Sequence, residues 1–291
     1  MRICRFNSNS LGVVEGDQII DVTEALSVLA PQRYPFPAHD LLIAHLDAIR
    51  AQISQLLPTA RRVPLASVKL DSPVANPGKI VNAPINYQAH IDESHKDKHL
   101  QQGIGGRPTS FIGDWGLFLK ANSALVGCGA EIQLRHPDRR NDHEVELALV
   151  IGKTARFVKR DDALSYVAGY AIGLDMTVRG PEDRSFRKSP DTYAVLGPWL
   201  VTADELGDPA NLNLELSVNG ELRQRSNTNK LVYDVPRLIE YASAWYTLHP
   251  GDIILTGTPE GVGPVKPGDV IHASIERVGS FDMRVASQYA A

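Results

Sequence analysis

The sequence predicts an α+β fold in which β-strands dominate, with a small N-terminal unit followed by a large, mostly β domain. After residue 79, most apolar stretches are short, rich in β-prone residues and separated by Gly, Asp, Asn or Pro, which is typical of a large sheet protein. Before it, residues 58–79 contain several prolines and few periodic apolar positions, which predicts a linker. A length of 291 residues fits one large or two unequal domains.

The N-terminal unit is predicted to combine a small β-meander with one helix. Its short apolar runs are broken by Asn and Ser residues and by the turn-like sequence EGDQ (15–18). Residues 39–57 then carry apolar side chains close to a period of 3.6 residues. That spacing indicates an amphipathic helix.

The large domain is predicted to be a series of short strands interrupted by one helix. The β-prone runs are IVNAPINY, GLFLKANSALVG, EVELALVIG, YVAGYAIGLDMTV, WLVTADEL, LNLELSVNGELRQ, GDIILTGTP, GDVIHASIERVG and SFDMRVAS. The helix begins after the N-cap Asp234, carries Pro236 in its first turn and ends near HPGD (249–252). Its predicted apolar face includes Leu238, Ile239 and Trp245.

Bulk properties exclude several classes of function. A net charge of −4 and a pI of about 6.1 give no general attraction to nucleic acid or to an anionic membrane. Cys4 and Cys128 form neither a CxxC pair nor a metal-binding spacing. We find no signal-peptide apolar region and no apolar run long enough to span a membrane. The expectation is a cytoplasmic protein that binds neither nucleic acid nor membrane.

Two like charges lie in the otherwise apolar strand NDHEVELALVIGK (141–153). Because side chains alternate faces along a strand, Glu144 and Glu146 share one face, opposite Val145 and Leu147. Two neighbouring carboxylates repel each other, and burial increases the cost. The pattern therefore leaves two interpretations, a cation site or the exposed face of a half-buried strand.

A third carboxylate favours the cation. Asp175 ends the strand-like run in YAIGLDMTVRG, where an acidic side chain commonly faces a pocket. Two Glu and one Asp, with no Cys and no required His, match a Mg²⁺ or Mn²⁺ site with open positions for water or substrate. Zinc would be expected to recruit His or Cys. Ca²⁺ shares the preference for oxygen and is an alternative occupant in crystals.

Three other patterns do not predict a function. His95 and His99 have helical i,i+4 spacing, but no third-ligand motif accompanies them, so solvated histidines are expected. GIGGR (103–107) lacks the context of a nucleotide-binding loop. HEVE contains an H-x-E but no P-C-x-x-C follows, which excludes a zinc deaminase.

Taken together, the motifs resemble the fumarylacetoacetate hydrolase (FAH) superfamily over roughly residues 78–289. HEVELALVIGK and GLDMTVRG are similar to the family's metal-ligating E-x-E and later Asp, and NYQAHIDE is similar to its N-Y-x-x-H-x-x-E. RKSPDT resembles the family's lysine-containing segment. The long stretch from VNGELRQRSN to VKPGD resembles its C-terminal signature.

The resemblance implies a fold and an activity. It implies a mixed, barrel-like β-roll catalytic domain at residues 78–291, usually a homodimer, behind a small N-terminal α/β domain at residues 1–72. It further implies a hydrolase that cleaves a C–C bond in acylpyruvate-type 2,4-diketo acids such as fumarylpyruvate or acetylpyruvate, in aromatic catabolism. Some relatives instead isomerise 2-hydroxyhepta-2,4-diene-1,7-dioate or decarboxylate oxaloacetate, and these alternatives stay open.

The resemblance also implies roles for individual residues. Glu144, Glu146 and Asp175 would hold Mg²⁺ or Mn²⁺. His90 and Glu93 would form a dyad that activates water, since a carboxylate orients a histidine and makes it more basic. Lys188 would stabilise an enolate or order the water. The implied substrate contacts are Tyr87, Lys120, Arg179, Gln224 and Thr258.

Departures from the family pattern concern the substrate wall. Residues 94–117 form a long, polar and Gly-containing segment, which predicts a mobile lid. Gly180, Glu182 and Pro190 stand where relatives often have an acid, Gln and Phe. We therefore expect the metal site to be preserved and the substrate to differ from that of many relatives.

Overall fold

Strands form most of the regular structure, and the predicted α+β class is confirmed. The computed structural model describes residues 1–101 and 112–287. Its strands are β1 (Arg2–Phe6), β2 (Ser10–Glu15), β3 (Gln18–Asp21), β4 (Arg62–Pro64), β5 (Leu70–Asp71), β6 (Ile80–Asn82), β7 (Phe118–Lys120), β8 (Leu125–Val126), β9 (Glu131–Leu134), β10 (Asn141–His143), β11 (Val145–Ile151), β12 (Val167–Asp175), β13 (Thr177–Val178), β14 (Ala194–Thr202), β15 (Asn213–Val218), β16 (Glu221–Asn227), β17 (Ile253–Leu255), β18 (Gly263–Pro264), β19 (Val270–Ile275) and β20 (Gly279–Ser287).

Short helices connect these strands. The α-helices are α1 (Leu41–Ala44), α2 (Leu46–Leu56), α3 (Gln88–Ser94), α4 (Lys98–Gln101), α5 (Ile112–Trp115), α6 (Arg184–Lys188), α7 (Ala203–Leu206) and α8 (Val235–Trp245). The 3₁₀ helices are Thr23–Val28, Leu65–Ser67, Asn122–Ala124, Arg160–Tyr166 and Thr228–Lys230. Within the described ranges, no helix is both long enough and apolar enough to cross a membrane.

The strands form one large sheet and two smaller ones. The large sheet has the order β4-β3-β2-β1-β14-β12-β11-β17-β6-β7, with β5 beside β1 and β8 beside β14. The smaller sheets have the orders β13-β10-β18 and β16-β15-β19-β20-β9. Strand β1 pairs antiparallel with β14, with Arg2 opposite Val201. The N-terminal strands therefore continue the sheet of the large domain, and the division at residues 73–77 stays a prediction.

The central strands β11, β12 and β14 are buried on both faces along their whole length. In β11, Val145 and Leu147 pack into one apolar core, whereas Ala148 and Val150 pack into a second core on the other face. The predicted alternation is therefore present. The half-exposed strand that was the alternative interpretation is wrong, because β11 has no solvent-exposed residue.

Two helices cover the second core in place of the single helix predicted at 39–57. Helix α1 begins after Asp40, whose side chain accepts a hydrogen bond from the Ile43 backbone. The helical path is interrupted at His45 (φ −113°, ψ 23°), and α2 follows. Asp40 Oδ2 also accepts hydrogen bonds of 3.0 Å from the backbone N–H groups of Ala75 and Asn76. This carboxylate ties the segment before β6 to the helix.

Three expectations from the sequence need correction. Residues 58–79 form more than a linker, since β4 pairs with β3 and β5 pairs with β1. Pro64 is tolerated because β4 is the edge strand of the sheet. The run WLVTADEL is a strand only up to Thr202 and continues as α7. Helix α8 has the predicted cap, with the Arg237 N–H donating to Asp234, but Trp245 is 72% exposed and lies outside the buried face.

Candidate metal centre and active site

Three buried carboxylates converge where β11 begins and β12 ends. The two strands are antiparallel neighbours, with Val145 opposite Leu174, and the Asp175 N–H donates to the Glu144 carbonyl (2.9 Å). Glu144, Glu146 and Asp175 each place a carboxylate oxygen within 4.8 Å of the others. All three side chains are buried, which requires positive charge nearby.

Arginine supplies part of that charge. Arg179 follows β13 and donates through Nε to Asp142 (2.7 Å) and through Nη2 to Glu144 (2.9 Å). Burial by itself lowers the pKa of Arg179, but Glu144 and Asp142 outweigh burial and keep that pKa above its usual value. Arg179, expected to contact substrate, therefore holds a carboxylate of the candidate metal site in place.

Two lysines supply the rest. Lys188 on α6 donates to Glu144 Oε2 (2.7 Å), Asp175 Oδ2 (2.7 Å) and Thr177 Oγ1 (2.6 Å). Lys120 on β7 donates to Asp175 and to the carbonyl of Tyr193 (2.6 Å). Burial lowers the pKa of Lys120 in spite of the opposing effect of Asp175. Lys120, expected to be a substrate contact, is enclosed by protein and directly supports a carboxylate.

Of the three carboxylates, Glu146 has its negative charge least compensated by nearby cations. Its Oε2 accepts a hydrogen bond from the Gly257 N–H (2.6 Å). Burial raises the pKa of Glu146, and the neighbouring charges of Asp175 and Glu144 raise it further. At Glu144, burial also acts to raise the pKa, but Lys188 and Arg179 outweigh it and the pKa lies below its usual range. A divalent cation would supply the charge that Glu146 lacks, so the donor set fits Mg²⁺ or Mn²⁺.

The predicted dyad is assembled on α3. His90 Nδ1 and Glu93 Oε2 are 2.8 Å apart, and the other Glu93 oxygen accepts a hydrogen bond from the Gly261 N–H (3.0 Å). His90 is buried and close enough to Glu144 for its charge to act on that carboxyl, after those of Lys188 and Arg179. The dyad therefore lies beside the carboxylate cluster.

One loop serves both the cluster and the dyad. After β17, Gly257 and Gly261 have φ values of +93° and +92°, which L side chains rarely adopt. A Cβ atom on Gly257 would lie 2.8 Å from Asn86 Cβ, and one on Gly261 would lie 2.0 Å from the Arg223 carbonyl oxygen. The two glycine N–H groups thus reach Glu146 and Glu93 because no side chain stands in the way.

The other predicted substrate contacts divide into two kinds. Tyr87 is buried, and its pKa is raised by burial and then by Glu146 and Glu260. Its hydroxyl has no hydrogen-bond partner in the described part of the chain, so it is available beside the cluster. Gln224 instead uses both ends of its amide within the protein, accepting from Val145 N (3.1 Å) and donating to Thr258 Oγ1 (2.8 Å).

Gln224 therefore joins β16 to β11. Thr258 is held in the same way, because its hydroxyl donates to the Val145 carbonyl (2.9 Å) while accepting from Gln224. Both side chains fix the loop that follows β17. Because its amide is used within the protein, Gln224 supports the loop, and its predicted contact with substrate stays a prediction.

Two departures from the family pattern, Gly180 and Glu182, lie around one ion pair. Glu182 and Arg139 are joined by two hydrogen bonds, of 2.8 and 3.0 Å. A Cβ atom at Gly180 would lie 1.8 Å from Arg139 Nη2, so the glycine leaves room for the guanidinium. GIGGR (103–107) lies outside the described residues, as does part of the predicted lid. His95 and His99 are exposed.

The carboxylate cluster, its compensating cations and the adjacent histidine place the protein in the class of divalent-metal enzymes. Residues 79–286 match the family model described as fumarylacetoacetate (FAA) hydrolase C-terminal, and the chain belongs to that family. The resemblance found from the sequence is therefore confirmed.

Individual relatives narrow the class. The chain is 60% identical to a maleylpyruvate hydrolase of Aquipseudomonas alcaligenes, over 99% of this chain and 100% of the relative. The crystal structure of a maleylpyruvate hydrolase from Sphingobium sp. SYK-6, in complex with manganese(II) and pyruvate, is 45% identical with a TM-score of 0.83 and covers 99% of both chains. A mitochondrial oxaloacetate tautomerase of Bos taurus is 38% identical, over 81% of this chain and 74% of the relative.

These findings confirm two predictions. The chain is a hydrolase that acts on carbon–carbon bonds, and its cofactor is a divalent cation of the Mn²⁺ or Mg²⁺ type. Asp142, Gly257, Gly261 and Thr177 are site residues that the sequence analysis did not predict. Asp142 had a signal, since it continues the period-two series of Glu144 and Glu146.

Proposed function

We propose that the protein hydrolyses the C3–C4 bond of an acylpyruvate, with maleylpyruvate as its substrate, in the degradation of aromatic compounds. The observation that carries the proposal is the buried carboxylate cluster, joined through the loop after β17 to the His90–Glu93 pair. The 60% identity to a maleylpyruvate hydrolase supports the choice of substrate. Maleylpyruvate replaces the fumarylpyruvate and acetylpyruvate expected from the sequence.

Glu144, Glu146 and Asp175 would hold the cation. When bound, the cation supplies a Lewis acid for the 2-oxo acid end of the substrate, where negative charge develops during cleavage. Lys188 adds a second positive charge at the same place, since its ammonium group lies 2.7 Å from two of the three carboxylates. Tyr87 contributes a free hydroxyl beside Glu146 for a polar group of the substrate.

His90 is the general base. Donation from His90 Nδ1 to Glu93 leaves the lone pair on Nε2, which takes a proton from the attacking water. The water oxygen adds to C4, the C3–C4 bond breaks, and its electron pair stays on C3 as the pyruvate enolate. The proton held by His90 then returns to C3. One water is consumed, and the products are pyruvate and maleate.

The test is pyruvate release from a defined panel. The purified protein is incubated with Mn²⁺ and maleylpyruvate, fumarylpyruvate or acetylpyruvate, and pyruvate is followed by a coupled dehydrogenase assay. We expect the highest kcat/KM with maleylpyruvate and a loss of at least about 100-fold in His90→Asn. If Mn²⁺ binds and no member of the panel releases pyruvate, the proposal is wrong.

A second function on the same site is the tautomerisation of oxaloacetate, favoured by the 38% identity to a tautomerase. That reaction moves a proton next to a ketone and needs no attacking water. The same preparation is assayed with the enol form of oxaloacetate. A kcat/KM for oxaloacetate above that for every acylpyruvate would favour this second function.

The protein is also proposed to work as a homodimer. Large apolar side chains are exposed on neighbouring elements, with Phe157 67% and Trp245 72% exposed, and Phe157 N donates to the Ser243 carbonyl on α8. Exposed aromatic residues of this size favour an interface. Light scattering after size exclusion should give twice the chain mass of 31.8 kDa. A mass equal to one chain would contradict the dimer.

A further inference from the structure

Arg184 is a cation in the wall of the site that forms no direct ion pair with a described residue. It is the first residue of α6, and its guanidinium carbon lies 5.3 Å from the ring centre of Trp115 and 5.6 Å from that of Phe118. Among residues 1–101 and 112–287, no carboxylate lies within ion-pair distance of this guanidinium. Burial lowers the pKa of Arg184, and the charge of Arg187 lowers it further. A partly buried arginine without an ion-pair partner needs a reason.

The other arginines around α6 already have partners. Arg139 pairs with Glu182, and Arg179 pairs with the carboxylates described above. Arg187 donates to the backbone carbonyls of Glu182 (2.8 Å) and Val178 (3.0 Å). Arg139, Arg179 and Arg187 thus stabilise the protein around α6. Arg184 is the arginine of this group, within the described ranges, that is left for a ligand.

Arg184 and Lys188, which contacts the carboxylate cluster, lie over the same aromatic ring. Lys188 is four residues further along α6, so the two side chains share one face of the helix. Lys188 Nζ lies 5.6 Å from the centre of the same Phe118 ring, and it contacts Glu144 and Asp175 directly. About one turn of helix thus separates the backbones of the two residues, and the charges of Glu144 and Asp175 act on the Arg184 guanidinium.

We propose that Arg184 binds the distal carboxylate of the substrate and makes the site selective for 2,4-diketo acids that end in a second carboxylate. The inference rests on the proposed function, which places the 2-oxo acid end at the carboxylate cluster. A planar guanidinium suits a carboxylate because it can donate two parallel hydrogen bonds. The faces of Trp115 and Phe118 hold its plane and limit water around it.

The length of the substrate agrees with this placement. In an acylpyruvate with a four-carbon diacid as its acyl part, two carbon atoms separate the C4 carbonyl from the distal carboxylate. The distal carboxylate therefore lies beyond the 2-oxo acid end that the cluster and Lys188 would hold, as Arg184 lies one turn of α6 beyond Lys188. Acetylpyruvate has only a methyl group beyond C4, so it would leave Arg184 without an ion-pair partner.

The test compares two substrates in two variants. Arg184→Gln removes the charge, and Arg184→Lys keeps the charge without the two-pronged geometry. We expect kcat/KM for maleylpyruvate to fall at least about 30-fold in Arg184→Gln and less in Arg184→Lys, with acetylpyruvate changed less than about threefold. Inhibition by maleate should weaken about tenfold or more, whereas inhibition by pyruvate should not change.

A matched control is Arg156→Gln. Arg156 also lies over an aromatic ring, 5.2 Å from Phe157, but it is exposed on another part of the surface. Neither substrate should be affected by this change. Equal losses on both substrates in Arg184→Gln, or an unchanged kcat/KM for maleylpyruvate, would overturn the inference. A wild-type protein that cleaves no acylpyruvate would instead overturn the proposed function, and this inference with it.

Discussion

At the scale of single residues, Glu146 links the metal to the stability of the fold. Burial and the neighbouring acids raise its pKa in the metal-free protein, so the folded state favours the protonated carboxyl. A raised pKa stabilises the fold below the ordinary value of 4.5, and this stabilisation is lost as pH rises towards the folded-state pKa. A cation that binds the ionised carboxylate removes this loss.

The first prediction follows from the upward direction of the Glu146 pKa shift. Between pH 5.5 and 8, the free energy of unfolding of the metal-free wild type should decrease with pH relative to Glu146→Gln, by up to about 1.4 kcal/mol for each pH unit. Urea unfolding of both proteins at several pH values measures the difference, because every other titrating group is common to both. Wild type saturated with Mn²⁺ should lose this extra slope. Parallel pH profiles for the two metal-free proteins would contradict the prediction.

A site residue could be found from the sequence when its partners lie only a few positions away along the chain. Glu144 and Glu146 are two residues apart on a strand, and alternation alone puts them on one face. The pairing of Arg179 with Asp142 joins residues 37 positions apart. It depends on the register of β10 against β13, strands of three and two residues, which no periodicity reveals. The role of Arg179 was therefore assigned to the substrate from resemblance.

At the scale of elements, the loop after β17 couples the dyad to the metal centre. The second prediction is that Gly261→Ala disturbs this coupling. The new methyl group would lie 2.0 Å from the Arg223 carbonyl oxygen, so the loop must shift. The hydrogen bond from the backbone N–H of residue 261 to Glu93 is then lost. We expect kcat to fall at least about tenfold, with Mn²⁺ affinity changed much less. Steady-state kinetics and Mn²⁺ calorimetry measure the two effects.

Gly268→Ala is the matched control for that change. Gly268 has a similar φ of +94°, but nothing lies within 4 Å of its Cβ position. The variant should lose about 1 kcal/mol of stability from backbone strain and keep its kcat. If both variants had the same kcat, the close approach of Gly261 would not matter for catalysis.

Helix α3 gives the third prediction, which separates hydrolysis from proton transfer. In Glu93→Gln the amide oxygen can still accept a hydrogen bond from Gly261 N, but the negative charge beside His90 Nδ1 is lost. Cleavage of an acylpyruvate, which needs an activated water, should fall about 100-fold or more. Tautomerisation of oxaloacetate should fall less. Equal losses in the two assays would show that the dyad serves proton transfer in general.

The elements found from the sequence are those with local signals. Helix α8 has an N-cap and a proline in its first turn. The run LNLELSVNGELRQ is β-prone as predicted, but Asn219 and Gly220, both with positive φ, divide it into β15 and β16. Strands β4 and β5 were missed, because runs of three and two residues carry no periodicity. They exist because β3 has a free edge and because Arg5 and Phe6 of β1 extend past its pairing with β14.

At the scale of the whole molecule, one sheet runs through both predicted domains. Residues 1–72 were expected to form a separate small domain, yet β1 pairs with β14 and β5 pairs with β1. Cys4 on β1 and Cys128 before β9 lie on the two sides of the proposed division, and both are buried. Burial raises the pKa of each thiol to about 12, so neither should react in the native protein near pH 8.

The two thiols therefore report how the two parts of the chain open, which is the fourth prediction. Cys4→Ala and Cys128→Ala each leave one cysteine, and its reaction with a disulfide reagent is followed at increasing urea. Because the sheet runs through both parts, we expect the two thiols to become reactive with the same free energy of opening. That value should equal the global free energy of unfolding of each variant, measured by circular dichroism. If Cys4 opened at a free energy lower than Cys128 by more than about 1 kcal/mol, the N-terminal part would unfold on its own as the separate domain that its sequence suggests.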